Sequence, residues 1–180
     1  MIKPKVGVKV VSDNSQLLVA GMDFMMHHRL LVGWPESTKA RQEMEVQSVQ
    51  GRRKVAVTGP AQITNAALAY IHDNGSPIRG IPAREFLRPG IVSVKDRIAD
   101  RLEKVGKAAL AGNTTAAEEQ LHAAGLIAVS GVRNKITMGP FVPLRPATLA
   151  ARKRKGFRGT KPLIVTGQLR NSCSYVLEKA

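Results

Sequence analysis

Cysteine and aromatic residues are scarce in this chain. Its one cysteine, Cys173, excludes an intrachain disulfide and a zinc cluster built from cysteines. Aromatic side chains make up 4% of the 180 residues, which argues against recognition of single-stranded RNA by base stacking. No apolar run reaches the length of a membrane span, and the basic start lacks the apolar core of a signal peptide. We expect a protein that stays in the cytosol until it is used, without contact with a membrane.

Acidic residues are absent from almost all of the last third of the chain. No Asp or Glu lies between Leu121 and Leu177, although the formal net charge of the whole chain is +15. The cations of this span are Arg133, Lys135, Arg145, Arg152, Lys153, Arg154, Lys155, Arg158, Lys161 and Arg170. Such an excess of one sign favours a polyanionic partner, of which a nucleic acid is the commonest kind.

Motifs of known chemistry are also missing. There is no Gly-rich phosphate loop and no HExxH pair. The adjacent His27 and His28 lack an obvious third metal ligand, and His72 and Asp73 are neighbours that a helix would point in different directions. The acids lie mostly on predicted helices, where they pair with bases and leave no recognisable catalytic dyad. We therefore expect neither an enzyme nor a cofactor or metal.

Apolar periodicity predicts one α+β domain over residues 1–180. Alternation predicts strands at Lys5–Val11, at Arg29–Trp34 and, near the end of the chain, around Cys173–Leu177. Helical spacing predicts helices over 16–28, 65–74, 94–111, 116–134 and 148–155. We expect a small, mostly antiparallel sheet, formed by the N- and C-terminal strands, to pack against the two long helices.

The segment Ser37–Pro60 is polar and charged, with little apolar periodicity. Its length and composition predict an extended, mobile loop that orders on contact with a partner. The stretch GRRKVAV within it could instead form one arm of a hairpin.

The stretch Asn74–Ile91 alternates proline and glycine breakers with apolar residues, Ile78 among them. Prolines and glycines at this density predict defined turns rather than a long helix, and the apolar residues require burial. We expect an ordered, packed loop, either as an assembly surface or as a surface loop with a hydrophobic anchor. Its candidate anchor or interface residues are Ile81, Pro82, Arg84, Phe86, Leu87 and Arg88.

The strongest local charge signal is the run Arg152, Lys153, Arg154 and Lys155, followed by Arg158. One interpretation is sequence-independent contact with phosphates or with an acidic protein surface. The other is a solvated basic helix end, because cations suit helix C-termini.

Three stretches together resemble the tail-completion and head–tail joining proteins of long-tailed phages and the related Mu-like virion morphogenesis proteins. They are LLVGWPES at 30–37, ALAYIHDNGSP at 67–77 running into IPAREFLRPGI at 81–91, and PLRPATLAARKRKG at 143–156 followed by KPLIVTGQLRNSCSYVL at 161–177. The resemblance spans residues 30–178, leaves 37–60 unmatched, and departs from the family pattern at Glu85 and Val165.

This resemblance implies a non-enzymatic virion protein that forms a sixfold or twelvefold ring at the neck or the top of the tail. Its implied partners are further copies of itself, a tail terminator or tail tube protein, and portal or head-completion adaptors. Packaged DNA would lie in the lumen without sequence-specific contacts. The implied location is the virion, and the host cytoplasm during assembly.

Two alternatives remain at this point. One is a basic nucleic-acid-binding protein. The other is a tail-terminator or baseplate component that uses the same kind of ring assembly.

Overall fold

The computed structural model describes residues 14–35, 42–49, 52–60 and 63–179. Its elements are α1 (Ser15–His27), β1 (His28–Gly33), β2 (Gln42–Val49), β3 (Arg52–Pro60), α2 (Asn65–Asn74), α3 (Leu87–Val92), α4 (Lys95–Leu110), α5 (Thr114–Met138), α6 (Pro146–Arg154), α7 (Gln168–Asn171) and β4 (Ser174–Lys179). This arrangement confirms the α+β class. The strand predicted at Lys5–Val11 lies outside the described residues.

The first strand pair joins distant parts of the chain. β1 pairs antiparallel with β4, from His28 opposite Lys179 to Gly33 opposite Ser174. Both strands pack against α5, which also contacts α3, α4 and α7. α1 packs on α4 and, at its end, on β1. The predicted antiparallel sheet against long helices is therefore present, with α5 as the element that most others share.

The segment expected to be an extended loop contains a β-hairpin. β2 and β3 pair antiparallel, with Met44 opposite Val57 and Val46 opposite Val55, and with an irregularity between Glu43 and Met44. Its apolar residues alternate with polar ones at the period of a strand. This alternation covers only a few residues, and the rest of the segment has the composition of a loop. Among the described residues the two strands pack mainly on each other. The predicted mobility of this segment stays a prediction.

α5 approaches its neighbours closely because small residues line its buried side. A Cβ at Gly131 would overlap the carbonyl oxygen of Gly90 in α3, and one at Gly125 would lie 2.5 Å from the Tyr175 ring. The sequence marks both glycines as weak points of a helix. The structure shows that they are the places where α3 and β4 come closest to the α5 backbone.

The core has two parts along α5. The first contains Phe86, Val132, Ile136, Leu169 and Cys173 among its buried members. The second lies between α1, α4 and the start of α5, and its buried members are Phe24, Val105, Ala109, Ala117 and Leu121. Apolar side chains on the outer side of α1 stay exposed, with Val19 and Met26 more than 60% accessible.

The stretch Asn74–Ile91 is ordered and packed, but it is not entirely loop. α3 begins at Leu87, and the Asp73 carboxylate accepts hydrogen bonds from the backbone N–H groups of Phe86 (2.7 Å) and Leu87 (3.1 Å). A carboxylate at a helix N-terminus satisfies donors that have no intrahelical partner. Pro89 is tolerated because it lies in the first turn, where its missing N–H is not needed.

Phe86 is fully buried at the centre of the first core and meets the edge of the Trp34 ring, with ring centroids 5.6 Å apart. We expect Phe86→Ala to lower the free energy of unfolding by about 3–5 kcal/mol, because it removes a large buried ring and leaves a cavity. Urea unfolding of the purified chain measures the change. Ile78→Ala is the matched control, since Ile78 is completely exposed, and should change stability by less than about 0.5 kcal/mol. Equal unfolding midpoints for wild type and Phe86→Ala would contradict the assignment of Phe86 to the core.

Candidate functional site

The six candidate residues of the central stretch divide into buried and exposed members. Phe86 and Arg84 are buried, Ile81, Pro82 and Leu87 are half-buried, and Arg88 is exposed. The turn between Ser76 and Ile81 is closed by two backbone hydrogen bonds of 2.8 and 2.9 Å. Ile78, which the sequence suggested would be buried, stands at its tip and is 100% exposed. Arg84 and Phe86 therefore anchor the stretch to the rest of the molecule, and the turn with Ile78 at its tip is accessible to a partner.

Arg84 ties the central stretch to the loop after α5. Its Nε donates to the Val142 carbonyl at 3.0 Å and its terminal nitrogen donates to the Pro143 carbonyl at 3.3 Å. Burial lowers the pKa of the Arg84 guanidinium from its ordinary value. Arginine keeps its proton in proteins, so the buried group remains a cation held by carbonyl dipoles. Arg84 thus acts as a structural clamp.

Arg152 has a similar role in α6, unlike the rest of the basic run. Its Nη1 donates to the carbonyls of Gly159 (3.0 Å), Lys161 (2.8 Å) and Ile164 (3.2 Å). Burial, and secondarily the positive charge of Arg84, lower the pKa of Arg152. The side chain therefore fastens the loop that follows α6.

The remaining residues of the run form an exposed basic face. We use this name for Lys153, Arg154, Lys155 and Arg158, all of which are exposed. α6 starts at Pro146 and ends at Arg154, so Lys153 and Arg154 lie in its last turn, Lys155 is its C-cap, and Arg158 lies in the loop that follows. Cations are favoured there by the helix dipole. The structure keeps four of the five predicted cations on the surface.

A cavity of about 360 Å³ lies beside the basic face, and we call it the α6 cavity. Its walls are largely apolar and include Leu68, Leu144, Phe157 and Leu163. Among the described residues that line it, Arg152 and Lys155 are the Lys and Arg side chains, and none is an Asp or Glu. Sequence reasoning did not locate this cavity, because α2, α6 and α7 contribute to it from separate parts of the chain.

The structure also gives the surroundings of the histidine, aspartate and cysteine candidates. The described residues contain no group of three or more His, Cys, Asp or Glu side chains placed to hold a metal ion. The Asp73 carboxylate caps α3, so the Asp73 of the His72–Asp73 pair has a structural role. Burial raises the pKa of the Cys173 thiol to about 11, against a smaller opposite effect of Arg133, so the thiol is protonated at neutral pH and is a poor nucleophile.

Within the ranges that the structure describes, no helix combines the length and hydropathy of a transmembrane span. Comparison with known proteins gives no match to any family model, to any curated protein or to any solved structure.

Removing the Arg152 side chain should loosen the loop after α6. We expect Arg152→Ser to lower the free energy of unfolding by about 1.5–3 kcal/mol, the range for hydrogen bonds that involve a charged group. Arg154→Ser is the control, because it removes the same charge from the exposed side of the same helix and should stay within about 0.5 kcal/mol of wild type. Urea unfolding monitored by circular dichroism distinguishes the two. If both variants unfold at the wild-type midpoint, Arg152 does not have the structural role described here.

Proposed function

We propose that this chain is a structural protein of a tailed bacteriophage, forming a homo-oligomeric ring at the head–tail neck or at the top of the tail. The observation that carries the proposal is the order of the three family-like stretches along the chain. The basic face, which lies in a span without Asp or Glu, supports it, since a ring around packaged DNA benefits from exposed cations. In this proposal the protein completes the tail or joins it to the head, and it catalyses no reaction.

The structure offers several surfaces for assembly. The rigid turn that carries Ile78 presents a preformed apolar contact, which reduces the entropy lost on binding. The exposed apolar side chains of α1 provide a second surface of the kind that marks protein contacts. These surfaces support contacts with further copies, with a tail terminator or tail tube protein, and with portal or head-completion adaptors.

The basic face supports proximity to packaged DNA. Exposed lysines and arginines contact phosphates without reading bases, and such contacts suit a lumen through which any sequence passes. A ring of six or twelve copies would repeat the four cations around the lumen. The proposed location is the virion, after assembly in the host cytoplasm.

A basic nucleic-acid-binding protein is the second candidate, and the same four exposed cations favour it. The two functions differ in affinity and salt dependence. DNA retention that survives about 0.5 M salt favours the nucleic-acid-binding protein, since binding through phosphates alone weakens steeply with salt. A tail-terminator or baseplate ring would share the oligomer and differ in its place in the virion.

The first test is the mass of the purified chain. We expect native mass spectrometry to show a closed ring, whose mass corresponds to six or twelve copies of the chain. Closed symmetric assemblies are favoured because every subunit then has all its interfaces occupied. Phe86→Ala serves as a control for folding, since an unfolded subunit should not assemble. A chain that remains monomeric at concentrations of tens of micromolar, in the presence and absence of DNA, would contradict the ring.

The second test neutralises the basic face and leaves Arg152 in place. Replacing Lys153, Arg154, Lys155 and Arg158 with Ser should keep the subunit folded and reduce the slope of log affinity for DNA against log salt by about 2–4, since each phosphate contact contributes about 0.9. The control replaces four exposed cations of α4 with Ser, namely Lys95, Arg97, Lys104 and Lys107. The same slope for both quadruple variants would mean that the face is a solvated helix end.

A further inference from the structure

A second cavity, of about 530 Å³, shares the wall residue Phe157 with the α6 cavity, and we call it the loop pocket. It lies between the end of α6 and the loop that follows, and its lining residues fall between positions 149 and 160. Lys153 and Arg158 of the exposed basic face both line it, whereas Arg154 lies outside its lining. Two cations of the face therefore share one cavity.

These two cations have no counter-charge at the loop pocket. None of the described residues that line the pocket is an Asp or Glu. In the part of the chain that the structure describes, neither the Lys153 nor the Arg158 side chain forms a hydrogen bond or an ion pair. Two positive charges at one cavity repel each other, and a bound anion relieves that repulsion. The pocket is therefore suited to an anionic group.

Thr160 adds neutral donors to the same pocket. The Gly159 carbonyl accepts a hydrogen bond from Arg152 at 3.0 Å, and the peptide that joins Gly159 to Thr160 is trans. The N–H of Thr160 belongs to that peptide and points opposite to the carbonyl, so it points away from Arg152. Within the described ranges, neither this N–H nor the Thr160 hydroxyl has a hydrogen-bond partner. Backbone N–H groups and threonine hydroxyls are common donors to phosphate oxygens.

The loop that forms the pocket is held at both ends. Gly156 has a φ of +80°, its N–H donates to the Lys153 carbonyl at 3.0 Å, and the Phe157 N–H donates to the Arg152 carbonyl at 2.9 Å. This is a Schellman motif, which satisfies helix carbonyls that would otherwise repel an anion. Arg152 then fixes the far side of the loop through the Gly159 carbonyl. The pocket is thus formed before any ligand binds, which lowers the entropy cost of binding.

We propose that the loop pocket binds one phosphate group of a DNA strand. Lys153, Arg158, and the hydroxyl and N–H of Thr160 donate to its oxygens, and an arginine can donate to two oxygens of one phosphate. The cavity has room for more than a phosphate, and the apolar wall made by Leu149 and Phe157 suits the attached sugar. The inference rests on the DNA contact in the proposed function and names the group that is held, but it does not depend on the ring.

Binding of a short fluorescein-labelled DNA duplex, measured by fluorescence anisotropy at low salt, tests the proposal. We expect Arg158→Ser to weaken the affinity about tenfold, the effect of losing a hydrogen bond that involves charged groups. Arg154→Ser is the matched control, because it removes the same side chain from another exposed position of the basic face, outside the loop pocket. It should weaken the affinity less than about threefold, as expected for a screened surface charge.

A variant of Thr160 separates a built site from a diffuse charge effect. Thr160→Val removes the hydroxyl without changing the net charge, and we expect it to weaken binding about fivefold, because the hydroxyl donates to an ionised oxygen. Thr160→Ser retains the hydroxyl and should bind as the wild type does. Urea unfolding midpoints, measured for each variant, show whether the affinities compare folded proteins.

Competition distinguishes the source of the phosphate. We expect dTMP and inorganic phosphate to displace the labelled duplex only at much higher concentrations than unlabelled duplex, since a strand adds phosphate contacts outside the pocket. Displacement by dTMP at the concentrations at which unlabelled duplex competes would identify a free nucleotide as the ligand and overturn the assignment to a DNA strand.

Two further outcomes would overturn the proposal in different ways. Equal affinities for Arg158→Ser and Arg154→Ser, with Thr160→Val at the wild-type value, would remove the loop pocket and leave the diffuse contact of the basic face with DNA. Wild-type affinity in the variant with all four cations of the basic face replaced by Ser would remove the DNA contact of the proposed function together with the pocket. The mass of the assembly tests the ring independently of both.

Discussion

The fold depends on how closely other elements can approach α5. Gly131 and Gly125 remove the Cβ atoms that would otherwise collide with the Gly90 carbonyl and the Tyr175 ring. α3 precedes α5 in the chain and β4 follows it. These two contacts therefore bring the central stretch and the end of the chain into one core. Each glycine destabilises the helix by roughly 1 kcal/mol relative to alanine. The packing of α3 and β4 against α5 compensates for this cost.

Arginine side chains hold the irregular parts of the molecule together. Arg84, Arg133 and Arg152 each donate to two or more backbone carbonyls. Those of Arg84 and Arg133 belong to distant segments, and those of Arg152 belong to the loop that follows α6. All the acceptors lie in the span between Leu121 and Leu177, which has no Asp or Glu, so carbonyl oxygens take the place that carboxylates would have. Carbonyls satisfy the hydrogen bonds without cancelling the charge, so the same region is both well connected and strongly basic. The structural clamps and the proposed contact with a polyanion are therefore compatible uses of one composition.

The parts of the fold that could be predicted are those with a clear local period. The strand at Arg29–Trp34, the helix that ends at Asn74 and the long α4 follow directly from the spacing of apolar residues. The hairpin at β2 and β3 was predicted only as an alternative, through the arm GRRKVAV, because its apolar residues are few and its composition is that of a loop. α3 was missed because the acceptor that begins it, Asp73, lies 13 residues before Phe86. Burial and long-range capping of this kind have no signature within a short window.

The candidate site shows the same division. The exposed basic face was predictable from charge alone, whereas the different role of Arg152 depends on where the following loop turns back. Ile78 and Phe86 belong to the same proline-rich stretch, yet one is fully exposed and the other fully buried. Composition identifies such a stretch as ordered, and only the tertiary contacts determine which apolar residue packs inward.

The carbonyl acceptors of the arginine clamps have a consequence for behaviour in acid. Acid unfolding of most proteins follows the protonation of carboxylates that are paired in the native state. A bond between a guanidinium and a backbone carbonyl contains no group that titrates between about pH 3 and pH 10. The tethers made by Arg84, Arg133 and Arg152 therefore keep their strength as the pH falls.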